Sequence, residues 1–292
     1  MSSSAPVGVD VAPSEPSPSE RPRRRRQLRW VLAIVGVVVA AVVAAKVAIE
    51  VLDRADPVDV DRAVADFEAE HGSTDAATVP RGAFAPGAYR YQATGDEYID
   101  LLGGPLHTFP DQVVGIVEAN DCGGSTLTVQ LFTQREDVLD LCEAGPGAWS
   151  LDRFETRHEF VGQEDDTVTS CEANELWTEA MFDEPDSTVE IRCTATGPNI
   201  GSTDATVTRR VHGREEIEVD GATVAVTHVE ITSVIGTPGG DTEGTYENRF
   251  WVTDDGVIAR RTLDAEVRTP TPVGSVSFRE SFDLALAAEQ GS

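Results

Sequence analysis

The sequence predicts a mainly β protein, an N-terminal transmembrane helix followed by an extracytoplasmic antiparallel curved sheet or half-barrel with few short helices. Three observations lead there. An apolar run from Trp30 to Ala45 holds no charge and continues past Lys46 to Ile49. Beyond residue 87 the apolar residues recur with period two, in segments rich in Val and Thr. No strand–helix–strand alternation and no glycine-rich phosphate loop interrupts those segments, which argues against a doubly wound nucleotide-binding fold.

Residues 1–29 form a basic cytoplasmic tail. The first 20 are rich in Ser, Pro and Val without periodicity and are expected to be disordered. Arg21, Arg23, Arg24, Arg25, Arg26 and Arg29 follow. Residues 30–49 are read as a single transmembrane helix, because a bilayer core takes about 20 residues of helix. Trp30 marks one headgroup boundary and Lys46 snorkels towards the other. The arginines stay in the cytoplasm, so the remainder lies outside the cell membrane. A cleaved signal peptide with Val43-Ala44-Ala45 at its site is the competing reading. Both readings export residues 50–292. No cysteine follows the run before Cys122, which argues against a lipoprotein.

Residues 50–292 carry 16 basic and 48 acidic residues, against 23 and 51 for the whole chain. That charge excludes a phosphate backbone as partner and disfavours adsorption to anionic lipid. Residues 50–86 read as a juxtamembrane helix and stalk. Val60, Val64 and Phe67 share one helical face, and 71–86 is small and polar with two prolines.

The β domain spans 87–288. Leu127, Val129 and Leu131 share a strand face, as do Val189, Ile191, Cys193 and Ala195. Asp220-Gly221 and Asp255-Gly256 are placed as hairpin turns. Glu175–Met181 reads as a helical turn. Thr196–Thr203 is the best internal boundary, between two lobes or two halves of one sheet. Four cysteines in an exported chain point to disulfides, and four allow three pairings. Sequential pairing, Cys122–Cys142 and Cys171–Cys193, closes the shortest loops and is preferred. Zinc would need closer spacing than these cysteines offer.

Several segments resemble known proteins. Pro86–Gly95 (Pro-Gly-Ala-Tyr-Arg-Tyr-Gln-Ala-Thr-Gly), Tyr98–Gly103, His107-x-Phe109-Pro110 and Phe154–Gln163 running on to Cys171 resemble a group of uncharacterised bacterial membrane-anchored proteins, over roughly residues 55–195. The segments from Gly213 through Val224–Val229 to Gly256–Arg261 are similar to curved-sheet, lipoprotein-carrier-like periplasmic domains. The first resemblance implies a location and a fold without an activity. The second implies an open half-barrel with an apolar concave face. Four cysteines, the missing lipidation site and the negative charge depart from the carriers.

No motif nominates a catalytic residue, a metal ligand or a cofactor. The five histidines lack metal-ligand spacing, and there is no Gly-x-Ser-x-Gly elbow. Phe154, His158 and Phe160 fall on one strand face and are the nominated ligand surface. The leading function is a membrane-anchored, non-enzymatic binding or interaction module of the cell envelope. Its partner would be an unidentified envelope protein or an apolar ligand. A carrier or sensor of an apolar envelope molecule, and a hydrolase with an unreadable site, are the alternatives.

Overall fold

The structure is a computed structural model and describes residues 30–41, 43–44, 47, 55–72, 83–100, 106–160, 163–172, 177–198, 200–237, 240, 242–271 and 274–287. The chain divides into two compact units, Met1–Ala48 and Ile49–Ser292. In the first, residues 30–41 are helical and exposed. Among the described residues no helix is long and apolar enough to cross a membrane. The basic tail at 1–29, part of the 30–49 span and much of the 50–86 stalk lie outside the described residues.

The second unit begins with helix α1 (Val60–His71), where Asp59 Oδ1 accepts a hydrogen bond from the Arg62 backbone N–H at 3.1 Å. That satisfies one of the orphan donors of a helix start. Val60 and Val64 on its apolar face pack against Val114, with Ala88 and Ile116 beside them.

Fifteen strands follow in the described residues: β1 (Gly87–Ile99), β2 (Leu106–Thr108), β3 (Gln112–Ala119), β4 (Ser125–Phe132), β5 (Arg135–Gly145), β6 (Ala148–Phe160), β7 (Gln163–Glu164), β8 (Thr167–Cys171), β9 (Trp177–Thr178), β10 (Thr188–Gly197), β11 (Gly201–Val219), β12 (Ala222–Gly236), β13 (Glu243–Val252), β14 (Ile258–Thr271) and β15 (Gly274–Leu286). Each long strand pairs antiparallel with its neighbour. The Asp220-Gly221 turn between β11 and β12 has positive φ at both residues, 47° and 78°, as a type I′ hairpin requires. Thr196–Thr203 holds the turn of the β10–β11 hairpin within one continuous sheet. The anticipated helical turn near 175–181 is a short 3-10 helix at Glu179–Asp183 instead.

The half-barrel expectation is corrected. β15 pairs with β1 from Tyr91↔Leu286 to Ile99↔Phe278, so among the described residues twelve strands close into a ring. Closure removes the two free edges, whose unpaired N–H and C=O groups an open sheet would expose. No local signal announces it, because the pairing joins the first long strand to the last.

The interior is filled. Trp177 is 1% exposed and meets Phe84, Phe182 and Phe250 edge-on at 5.5, 6.1 and 6.2 Å. Val129, Leu131, Leu139, Leu141, Val207, Val229, Leu263 and Phe282 continue the same core. The expected apolar concave face is therefore enclosed and occupied by side chains. Cys122 bonds to Cys142, and Cys171 to Cys193, with Cα separations of 5.1 and 4.0 Å. The second bridge ties cross-strand partners on β8 and β10.

Candidate functional site

The feature that stands apart from this core is a layer of charged side chains inside the barrel. On β5 the inward row runs Arg135, Asp137, Leu139, Leu141, and on β15 it runs Glu280, Phe282, Leu284. β14 contributes Arg261 ahead of Leu263 and Ala265, and β1 contributes Glu97 after Tyr91 and Ala93. In each strand the period of two that places an apolar residue inside also places a charge inside.

Arg135, 1% exposed, organises the layer. Its Nη2 donates to both oxygens of Glu280 at 2.9 and 2.7 Å, and its Nη1 donates to Asp137 Oδ1 at 2.6 Å. Arg261 Nη2 donates to Asp137 Oδ2 at 2.8 Å, and its Nε donates to Asn248 Oδ1 at 3.0 Å. The Arg261 guanidinium lies 5.1 Å from the Phe282 ring centroid and 5.5 Å from that of Phe250. On the other flank, His107 Nδ1 lies 2.9 Å and His158 Nε2 lies 3.3 Å from Glu97 Oε1. Glu97 Oε2 and Arg135 Nε face each other at 4.0 Å, and among the described residues neither atom has a hydrogen-bond partner.

The electrostatics follow from burial and neighbours. Burial raises the Glu97 carboxyl, but hydrogen bonds from His107 and His158 and the charge of Arg135 overcome this and hold it at about 2. Asp137 is likewise held below the usual carboxylate range, because Arg135 and Arg261 outweigh its burial. Glu280 goes the other way. Burial pushes it up to about 7, and the charges of Asp137 and Glu97 add to the effect that Arg135 opposes. Three carboxylates, two guanidiniums and two imidazoles thus share one buried layer, and Glu280 is the carboxyl whose hold on a proton is strengthened.

Of the nominated ligand surface, Phe154 and His158 both lie against the barrel interior. His158 is buried against Glu97 and meets Phe278 edge-on at 5.9 Å. Phe154 is half-buried and faces Tyr246 at 6.3 Å. Phe160 ends β6, and its side chain lies outside the described residues. Sequence reasoning missed Glu97, His107, Arg135, Asp137, Asn248, Arg261 and Glu280. The available signal was a charge in phase with an apolar alternation, such as Arg135 and Asp137 leading into Leu139 and Leu141.

The remaining histidines are on the outside. His212 stacks on His228 at 4.3 Å, His228 stacks on Trp251 at 4.5 Å, and Arg260 covers Trp251 at 5.0 Å. Val219 and Val226 at the β11–β12 turn pack beside that ladder with Ala259. His71 stacks on Phe67 beside a groove of about 360 Å³ between α1 and β3. Among the described residues no group of His, Cys, Asp and Glu is arranged to hold a metal ion.

No protein-family model and no curated protein matches the chain. Among solved structures, it is similar to the hypothetical lipoprotein YmcC from Escherichia coli (K12), at 13% identity and a TM-score of 0.33, over 78% of this chain and 97% of that one.

Proposed function

We propose that the barrel is an extracytoplasmic, non-enzymatic binding or interaction module of the cell envelope, tethered to the membrane through residues 30–49. One observation carries the reading: the lumen is packed with aromatic and aliphatic side chains, and its charged groups bind one another instead of converging on a cleft. A carrier needs an empty apolar volume, and a hydrolase needs an accessible nucleophile or acid–base pair. The two disulfides fit an oxidising compartment outside the cytoplasm. Recognition then falls to the outer faces of the strands and the loops at the barrel ends.

Photo-crosslinking residues placed in living cells at outward positions, Arg192 on β10 and Glu266 on β14 among them, test this. Discrete adducts from one outer face support an interaction module. A stoichiometric lipid extracted from the purified full chain, with no adduct from any outer position, would overturn it in favour of a carrier. Protease added to protoplasts should digest a tag fused after residue 292 and spare one fused before residue 1.

A further inference from the structure

The strands that close the barrel meet with two carboxylates face to face. Glu97 of β1 and Glu280 of β15 are direct cross-strand partners, and both are 2% exposed. Like charges directly opposite in an antiparallel pair repel, and burial removes the water that would screen them. The groups facing this pair come from six further places. Arg135 and Asp137 approach from β5, Arg261 from β14, His158 from β6 and His107 from β2. Tyr246 and Asn248 approach from β13, and half-buried Asp165 adds a negative charge near Tyr246. Two guanidiniums face the three carboxylates of the layer, and the imidazoles of His107 and His158 lie against Glu97 alone.

We propose that one exchangeable proton acts as the catch of this seam: bound, it allows Glu97 and Glu280 to lie opposite each other, and released, it leaves a repulsion that frees the Glu97 end of β1 from β15. The pairing of β1 is interrupted at this seam. β1 changes partner at Gly95, pairing with β3 through Gly87–Gln92 and with β2 through Asp96–Tyr98. Gly95 has φ +130°, and a Cβ there would stand 2.0 Å from the Ser281 carbonyl oxygen. A side chain is thereby barred at the point where the strand changes partner.

The sign of the coupling follows from the site. In the closed seam Glu280 keeps its proton up to about 7, whereas a carboxyl released to water titrates near 4.5. The closed form binds the extra proton between those values, so closure weakens as pH rises from about 5 to 7 and levels off above. This inference does not depend on the proposed interaction role, since it concerns the seam alone.

Hydrogen–deuterium exchange of the full chain in lipid nanodiscs, corrected for intrinsic rates, reads the catch directly. The amides of Asp96–Ile99 and Phe278–Ser281 should lose about a hundredfold in protection between pH 5 and pH 8, one proton being released per opening. The β11–β12 amides should hold theirs, and Glu280→Gln should make the seam independent of pH. Equal loss in every strand, or a seam that is flat in the unmodified chain, overturns the proposal. Carbon-13 titration of the side-chain carboxyls in the unmodified chain gives a second reading free of any folding defect. One carboxyl titrating near 7 supports the catch, and all of them titrating below 5 refutes it.

Discussion

Replacing Arg135 with methionine removes a side chain that bonds to Glu280 of β15, bonds to Asp137 on its own strand and faces Glu97 of β1. The substitution keeps an unbranched stem of similar reach, so the cavity it leaves is small. The electrostatic loss is large. Glu280 loses both of its hydrogen bonds from Arg135, Asp137 keeps only Arg261, and Glu97 loses its nearest guanidinium. Removing one partner of a buried ion pair costs about 3–5 kcal/mol, because the other charge stays buried. For a domain of this size each kcal/mol moves the melting temperature by roughly 2–4 °C, so a fall of roughly 6–20 °C is expected. The assay is thermal unfolding followed by far-UV circular dichroism at pH 7, with Arg279→Met as the exposed control. The deficit should shrink towards pH 5, where the stranded carboxylates take up protons. The double variant Arg135→Met/Glu280→Met should recover part of it, since apolar replacement of a whole buried pair is often neutral or better. A melting temperature within 2 °C of the unmodified chain, or a deficit no larger than that of Arg279→Met, would refute the reasoning.

Glu97→Gln tests the depressed carboxyl: its contribution, about 3 kcal/mol for a shift from 4.5 to about 2, is present above pH 4.5 and lost as pH falls towards 2. Urea unfolding of both proteins across that window should show the gap closing, and a gap constant with pH contradicts the assignment. Replacing Cys171 and Cys193 together by alanine should cost about 3 kcal/mol in the chain-entropy model, as bonds closing loops of this size do. Peptide mapping without reductant should recover the 122–142 and 171–193 pairs. Trp177→Ala should cost about 3–5 kcal/mol, read by the same urea titration, because the indole is ringed by Phe84, Phe182 and Phe250.

Much of the scaffold was legible because it obeys local rules. Val60, Val64 and Phe67 fix the buried face of α1, and Asp220-Gly221 specifies a two-residue hairpin. The cysteine spacing in an exported chain led to the observed pairs. Ring closure was not legible, because nothing near Tyr91 refers to Leu286. The lumen layer was half-legible. The phase of His158 with Phe154 picks it out, but Arg135, Asp137 and Glu280 do not stand out in a chain crowded with acidic residues. Burial of such groups becomes apparent only when their partners arrive from other strands.

The order in which the strands join sets when the protein can be finished. Every β-hairpin from β3 to β15 can form as the chain is made, but β1 must wait for β15 before its second edge is covered. The nascent chain therefore carries one open edge of β1 through most of its synthesis, and contacts of such long sequence separation form slowly. A chain cut short within Gly274–Leu286 would be left with open margins on both β1 and β14, each able to recruit another polypeptide. A stall in the last dozen residues of the sheet would thus leave a nearly complete sheet with two unpaired edges, the arrangement that invites edge-to-edge association.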